Sequence, residues 1–115
     1  GEHYELDDAS RLFLKEARAA GRRIVACGTS SVRTLETVFK ANGNALLRGR
    51  TELFIYPGYK FSAVDALITN FHLPRSTPLM LVAAFMGTQG LKKAYQEAIS
   101  GGYRFYSYGD AMFIS

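Results

Sequence analysis

A chain of 115 residues that is 48% hydrophobic and 13% aromatic can bury one sizeable core and hardly two, so a single domain over residues 1–115 is expected. Its 21% of charged residues argues against disorder, the longest apolar run (Pro78 to Met86) is about half of the roughly 18 residues a bilayer span needs, and the single cysteine, Cys27, rules out an internal disulfide or a multi-cysteine zinc site. The net charge of +4 divides into −4 over the first eight residues and 14 basic against six acidic residues over the other 107, a basic body that favours polyanionic partners such as nucleic acid.

The first expected element is a helix capped by Asp7 or Asp8. Ala9, Leu12, Phe13, Ala17 and Ala20 recur at helical spacing as its packing face, and Gly21 stops it. Arg23 to Cys27 is too short and too β-branched for a helix and reads as a buried strand, broken by Gly28. A second helix is expected from Ser30 or Ser31 to Phe39, with Val32, Leu35, Val38 and Phe39 on one face and Asn42-Gly43-Asn44 closing it. Glu52 to Tyr56, stopped by Pro57-Gly58, and Val64 to Thr69 read as central strands.

Ser76 or Thr77 caps the next helix, which runs from Pro78 through Met86 to Gly87. It is apolar nearly all round, so it is expected to be buried on most sides or covered by further protein, and self-association is one way to cover it. Another helix follows from near Thr88 to before Ser100-Gly101-Gly102, and Tyr103 to Tyr108 and Ala111 to Ile114 read as strands around Gly109-Asp110. Strands alternating with helices indicate an α/β class, a layered mixed sheet with flanking helices.

Motifs for dinucleotides, P-loop phosphates and paired-ligand zinc are absent from the sequence. What remains is Gly28-Thr29-Ser30-Ser31-Val32-Arg33 at a strand-to-helix junction. There the unpaired N–H groups and positive dipole end of a helix meet three hydroxyls and an arginine, which makes a cradle for a carboxylate or phosphate; ordinary capping by Ser30 and Ser31 accounts for the same residues. A second constellation, Thr69-Asn70-Phe71-His72, follows a strand end, where ligands gather in open α/β sheets. His72 has the chemistry of an acid or base near neutral pH, and a hydrogen-bonded structural histidine is the plainer alternative. The third, Tyr103 to Asp110, offers aromatics interleaved with Arg104, explained equally by strand packing, and a carboxylate, Asp110, beside Tyr108.

Four segments in order make the sequence recognisable: Gly28-Thr29-Ser30-Ser31-Val32-Arg33-Thr34-Leu35-Glu36, Leu53-Phe54-Ile55-Tyr56-Pro57-Gly58, Val64 through Thr77, and Tyr103 through Met112. Together they resemble the S-adenosylmethionine:tRNA ribosyltransferase-isomerases of queuosine biosynthesis. The resemblance covers essentially the whole chain, although members of that family are much longer, so it implies the C-terminal part of a two-domain enzyme without its N-terminal part and inserted β-barrel. It further implies transfer of the ribosyl part of S-adenosylmethionine to an aminomethyl-deazaguanine in tRNA, with release of adenine and methionine and formation of epoxyqueuosine.

By position, the resemblance makes His72 and Asp110 the candidates for proton transfer. Thr29, Ser30, Ser31 and Arg33 become candidates for the methionine carboxylate or a tRNA phosphate, Thr69 and Asn70 for the ribose or base edges, and Tyr108 for substrate binding. The implied partners are tRNA, S-adenosylmethionine as co-substrate without a metal, and the remainder of the same enzyme, in a reducing cytoplasm and away from membranes. Departures from the usual pattern are mild: Cys27 stands where Val is common, Ser30 where Thr is, Arg75 where Lys is and Pro78 where Leu is. The chain on its own is expected to be inactive; a non-catalytic basic module that binds RNA or an anion is the competing class.

Overall fold

The computed structural model describes residues 2–40, 48–72, 76–102 and 111–114. In chain order these form β1 (Glu2–Glu5), α1 (Asp8–Ala19), β2 (Val25–Cys27), α2 (Thr29–Lys40), β3 (Arg48–Thr51), β4 (Ala66–Asn70), α3 (Thr77–Met86), α4 (Thr88–Ser100) and β5 (Ala111–Ile114). β2 and β4 pair in parallel, with Ala26 opposite Leu67 and Cys27 opposite Ile68, and β5 pairs antiparallel on the far side of β4, with Ile68 opposite Phe113. β1 and β3 form a separate antiparallel pair. The mixed α/β architecture follows the alternation of strand and helix patterns in the sequence.

Parallel pairing of β2 and β4 requires a long crossover, and α2 lies within it. Ala26, Leu67 and Ile114 occupy one row across three strands and point into the core with Val32, Val38, Phe39, Leu81 and Val82. The core therefore lies between one sheet face, α2 and α3. α3 buries Leu81, Val82 and Ala83, leaves its remaining residues from Pro78 half-covered, and stacks Phe85 on Phe61 with ring centroids 4.0 Å apart. That coverage answers its nearly continuous apolar surface. Its expected cap is present, with the Leu79 N–H donating to Ser76 Oγ at 3.3 Å and Pro78 in the first turn.

α1 begins at an Asp7 cap, where the Ser10 N–H donates to the carboxylate at 2.6 Å. It ends with Gly21 at φ +75° and with bonds from Gly21 N to Arg18 O and from Arg22 N to Ala17 O, the paired reverse bonds that close a helix on a left-handed residue. Its buried side differs from the expected one. Ala17 is buried and Leu14 half-buried against the core, whereas Leu12 and Phe13 are 51% and 65% exposed. Each residue turns the helix by about 100°, and burial centres on the Leu14–Ala17 pair three residues apart.

Glu52 to Tyr56 is not a strand. The ladder lies just upstream, in β3, whose Arg48 pairs with Glu5 of β1 at 3.0 Å, and β1 itself carries no pattern that announced it. Beyond Thr51 the chain stays alternately buried and exposed, but the Leu53 N–H turns back to Thr51 Oγ1 at 3.1 Å and Pro57 has no N–H to donate. The strand expected from Val64 starts instead at Ala66, because the amides of Ser62, Ala63 and Val64 are all taken by the buried carboxylate of Glu36, at 2.7, 2.8 and 3.0 Å. The expected strand Tyr103–Tyr108 and the Asn42-Gly43-Asn44 stop lie outside the described residues.

Candidate functional site

β2 and β4 run in parallel, so both end at the same edge of the sheet; Gly28–Ser31 follows the end of β2 directly, and Thr69 and Asn70 are the last residues of β4, with Phe71 and His72 just beyond. After Cys27 the chain turns at Gly28, whose φ of +93° is in the region glycine alone enters without strain, and whose N–H donates to Ile68 O at 2.8 Å. α2 starts at once with Thr29, Ser30 and Ser31. After Asn70 the other strand passes through buried Phe71 to His72.

Between these turns lies an open cavity of about 380 Å³, lined by Cys27 and the Gly28–Ser31 turn on one side, Ile68, Thr69, Asn70 and His72 on another, and Ala111 of β5. Thr29, Ser30, Ser31, Thr69, Asn70 and His72, six of the residues singled out in the sequence, therefore meet around one hollow. Tyr108 and Asp110 lie outside the described residues.

Arg33 does not join them. It is half-buried and lines a second cavity of about 410 Å³ together with Thr51, Glu52, Leu53, Phe54, Thr77 and Pro78. Ser31 and Arg33 are separated by about 200° around the helix, so one junction motif feeds two sides of α2. The carboxylate cradle in the first cavity consists of hydroxyls and the N-terminal amides of α2, without the guanidinium.

His72 is held from two sides. Its Nε2 and Thr69 Oγ1 share a hydrogen bond of 2.9 Å, and its backbone N–H donates to the Tyr95 hydroxyl at 2.6 Å. Tyr95 comes from α4 and packs edge-on against Phe71, with ring centroids 5.4 Å apart. Partial burial of the imidazole disfavours its charged form and lowers its pKa from the usual 6.5, so the ring is neutral at physiological pH. Burial likewise raises the pKa of Tyr95, against the opposing effect of the bond from His72, and the phenol stays protonated. A neutral imidazole can accept a proton, and the hydroxyls and the Asn70 carboxamide around it can orient a polar ligand.

Two residues that shape the site were given no role from the sequence: Tyr95, and Glu36, which entered only as the last residue of a motif. The signal that could have found Tyr95 is the spacing of Leu91, Tyr95 and Ala98 along one side of α4. Glu36 sits on α2 at the helical positions of the apolar face, where a carboxylate ordinarily points to solvent, yet it is 0% exposed. Among the described residues no three His, Cys, Asp or Glu side chains group as metal ligands, and no helix is long and apolar enough to cross a membrane.

Residues 1–114 match the family model described as "Queuosine biosynthesis protein". A protein of Anaeromyxobacter dehalogenans named S-adenosylmethionine:tRNA ribosyltransferase-isomerase is 57% identical over 114 residues, which are 99% of this chain and 33% of that one. A relative of the same name from Moorella thermoacetica is 56% identical over 98% of this chain and 33% of its own. The crystal structure of an S-adenosylmethionine tRNA ribosyltransferase from Thermotoga maritima superposes with a TM-score of 0.89 at 52% identity, over 98% of this chain and 40% of that one. The chain thus spans about a third of the length of the curated relatives it matches.

Proposed function

The chain belongs to the queuosine biosynthesis protein family, and from that premise we propose that it is the part of an S-adenosylmethionine:tRNA ribosyltransferase-isomerase that supplies one wall of the reaction cleft. The observation that carries this reading is the single cavity at the ends of β2 and β4, where the Gly28–Ser31 turn faces Thr69, Asn70 and His72. S-adenosylmethionine enters as co-substrate and tRNA as acceptor, which sets the work in the cytoplasm.

The chemistry matches what the cavity offers. A sulfonium acidifies the C–H bonds beside it, and a neutral imidazole is the right base to take such a proton at pH 7; His72 is that base candidate, with Asp110 retained on its motif alone. Thr29, Ser30, Ser31 and the amides at the start of α2 suit the methionine carboxylate. Thr69 and Asn70 suit ribose hydroxyls or base edges, as does Tyr108 on its motif. Arg33, on the other side of α2, suits a tRNA phosphate. The chain spans about a third of the length of these relatives, and on this reading the 115 residues alone turn over nothing.

The test is adenine release from S-adenosylmethionine in the presence of tRNA carrying the aminomethyl-deazaguanine. This chain alone is expected to release none, and the same chain joined to the remaining two thirds of a relative is expected to release adenine, with His72→Ala cutting the rate by a factor of about 100 or more. No adenine from the joined protein removes the enzyme reading. In that case tRNA binding that weakens steeply with salt and ignores S-adenosylmethionine identifies a basic RNA-binding module instead.

A further inference from the structure

The segment Leu53-Phe54-Ile55-Tyr56-Pro57-Gly58 takes no part in the cavity at the ends of β2 and β4. Ile55 is 1% exposed and anchored in the core, while the aromatic rings on either side of it point outward, Phe54 at 50% and Tyr56 at 53% exposure. Their centroids are 5.6 Å apart and their planes tilted by 32°, so they form one continuous aromatic surface. The next three residues stiffen it. Tyr59 N–H donates to Tyr56 O at 3.0 Å across a turn with Pro57 first and Gly58 second at φ +101°, and the Tyr59 hydroxyl is fastened to buried Glu36 at 2.9 Å. A pair of rings held this firmly loses little freedom when something stacks on it.

The surroundings mix apolar groups, Leu53 and Pro78, with charged and hydroxyl groups. Phe54 forms one wall of the 410 Å³ cavity whose other walls include Arg33, Thr51, Glu52 and Thr77, and Arg48 and Arg50 of β3 lie exposed just upstream, Arg48 paired with Glu5 and Arg50 3.7 Å from Glu52. An apolar protein partner would leave those groups facing hydrocarbon. An unstacked base meets all of them: its face takes the rings, and its donor and acceptor edges take guanidinium, carboxylate and hydroxyl. The two cavities lie on different sides of α2, with Ser30 and Ser31 lining one and Arg33 the other.

We propose that Phe54 and Tyr56, with Arg33 and Glu52 at their edge, form a stacking platform for an unpaired RNA base outside the reaction cavity. The proposal deepens the tRNA reading above and rests on it. A nucleotide flanking the modified one would be splayed onto the rings, holding the loop while the target base enters the neighbouring cavity.

The probe is a tRNA anticodon stem–loop RNA carrying the fluorescent base 2-aminopurine at each loop position in turn, titrated with this chain. One or more positions should be quenched on binding. The F54A/Y56A double variant, altered only at exposed rings, should lose that quench and bind about tenfold more weakly with the slope of log K against log salt unchanged, since stacking neutralises no phosphate; F54W/Y56W should restore both. Quench and affinity within twofold of the unaltered chain overturn the platform, as does an unaltered chain that binds no RNA. A change in sedimentation behaviour with RNA binding intact also overturns it and marks the rings as a protein contact. Adenine release by the joined protein reports separately: lost release with the quench retained removes the activity and leaves the platform, and the reverse removes the platform alone.

Discussion

The Tyr59 hydroxyl donates a hydrogen bond to Glu36 on α2 at 2.9 Å, and the same carboxylate gathers three consecutive backbone amides, those of Ser62, Ala63 and Val64. One buried side chain thereby fixes the segment that leads into β4, and β4 carries Thr69 and Asn70 to the cavity. Removing the carboxylate leaves buried N–H groups without a partner, which costs about 1–3 kcal/mol for each group that water cannot reach. Glu36→Ala is therefore expected to lose roughly 3 kcal/mol or more in chemical denaturation, and Tyr59→Phe about 1 kcal/mol. Equal stability of Glu36→Ala and the unaltered chain would show that the segment is held by other contacts.

Tyr59 also makes stability fall at high pH. Burial first, then the bond to Glu36 and its negative charge, raise the phenol's pKa above its ordinary value near 10. The folded state binds the proton more tightly than the unfolded state, so this contribution is complete below pH 10 and is lost as pH climbs through the folded value. Tyr59→Phe should flatten the alkaline limb of a melting-temperature profile. A limb of unchanged steepness would assign it to other groups.

His72 acts at the opposite end of the scale. Its folded pKa lies below 6.5, so the unfolded chain takes up the proton first, and stability is expected to decline as pH drops from 6.5 through the folded value. Imidazole resonances followed by NMR should titrate with a midpoint below 6.5. A midpoint above 6.5 would mean that a carboxylate reaches the ring.

Tyr95 is expected to position His72 through the backbone. Tyr95→Phe keeps the edge-on contact with Phe71 and removes only the hydroxyl that receives the His72 N–H, at a cost of about 1 kcal/mol. The informative measurement is the His72 amide, whose hydrogen exchange should accelerate while amides in the centre of α4 keep their protection. Slow exchange at His72 in the variant would show another acceptor.

Gly28 tests the turn itself. A Cβ there meets nothing within 4 Å, so the cost of Gly28→Ala comes from the backbone alone, at φ +93°, about 1–2 kcal/mol. Gly28→Asn, a residue that tolerates positive φ better, should recover part of it in thermal unfolding. Identical losses for the two would point to the side chain rather than the dihedral.

The local amino-acid order was enough to place the described helices and several of their ends, because caps, left-handed glycines and helical spacing act over a few residues: Asp7 and Ser76 start helices and Gly21 ends one where the chemistry requires. It also placed the Gly28–Ser31 and Thr69–His72 segments at strand ends, and the order of its four motifs carried the family resemblance. Only the tertiary structure decided which side of α1 is buried, that the strand lies at Arg48–Thr51 and not at Glu52–Tyr56, and that Arg33 turns away from the hydroxyls of Thr29, Ser30 and Ser31. Those outcomes depend on partners far away in sequence. A strand exists when another backbone answers its hydrogen bonds, and a carboxylate such as Glu36 is buried when amides 26 to 28 residues further on converge on it.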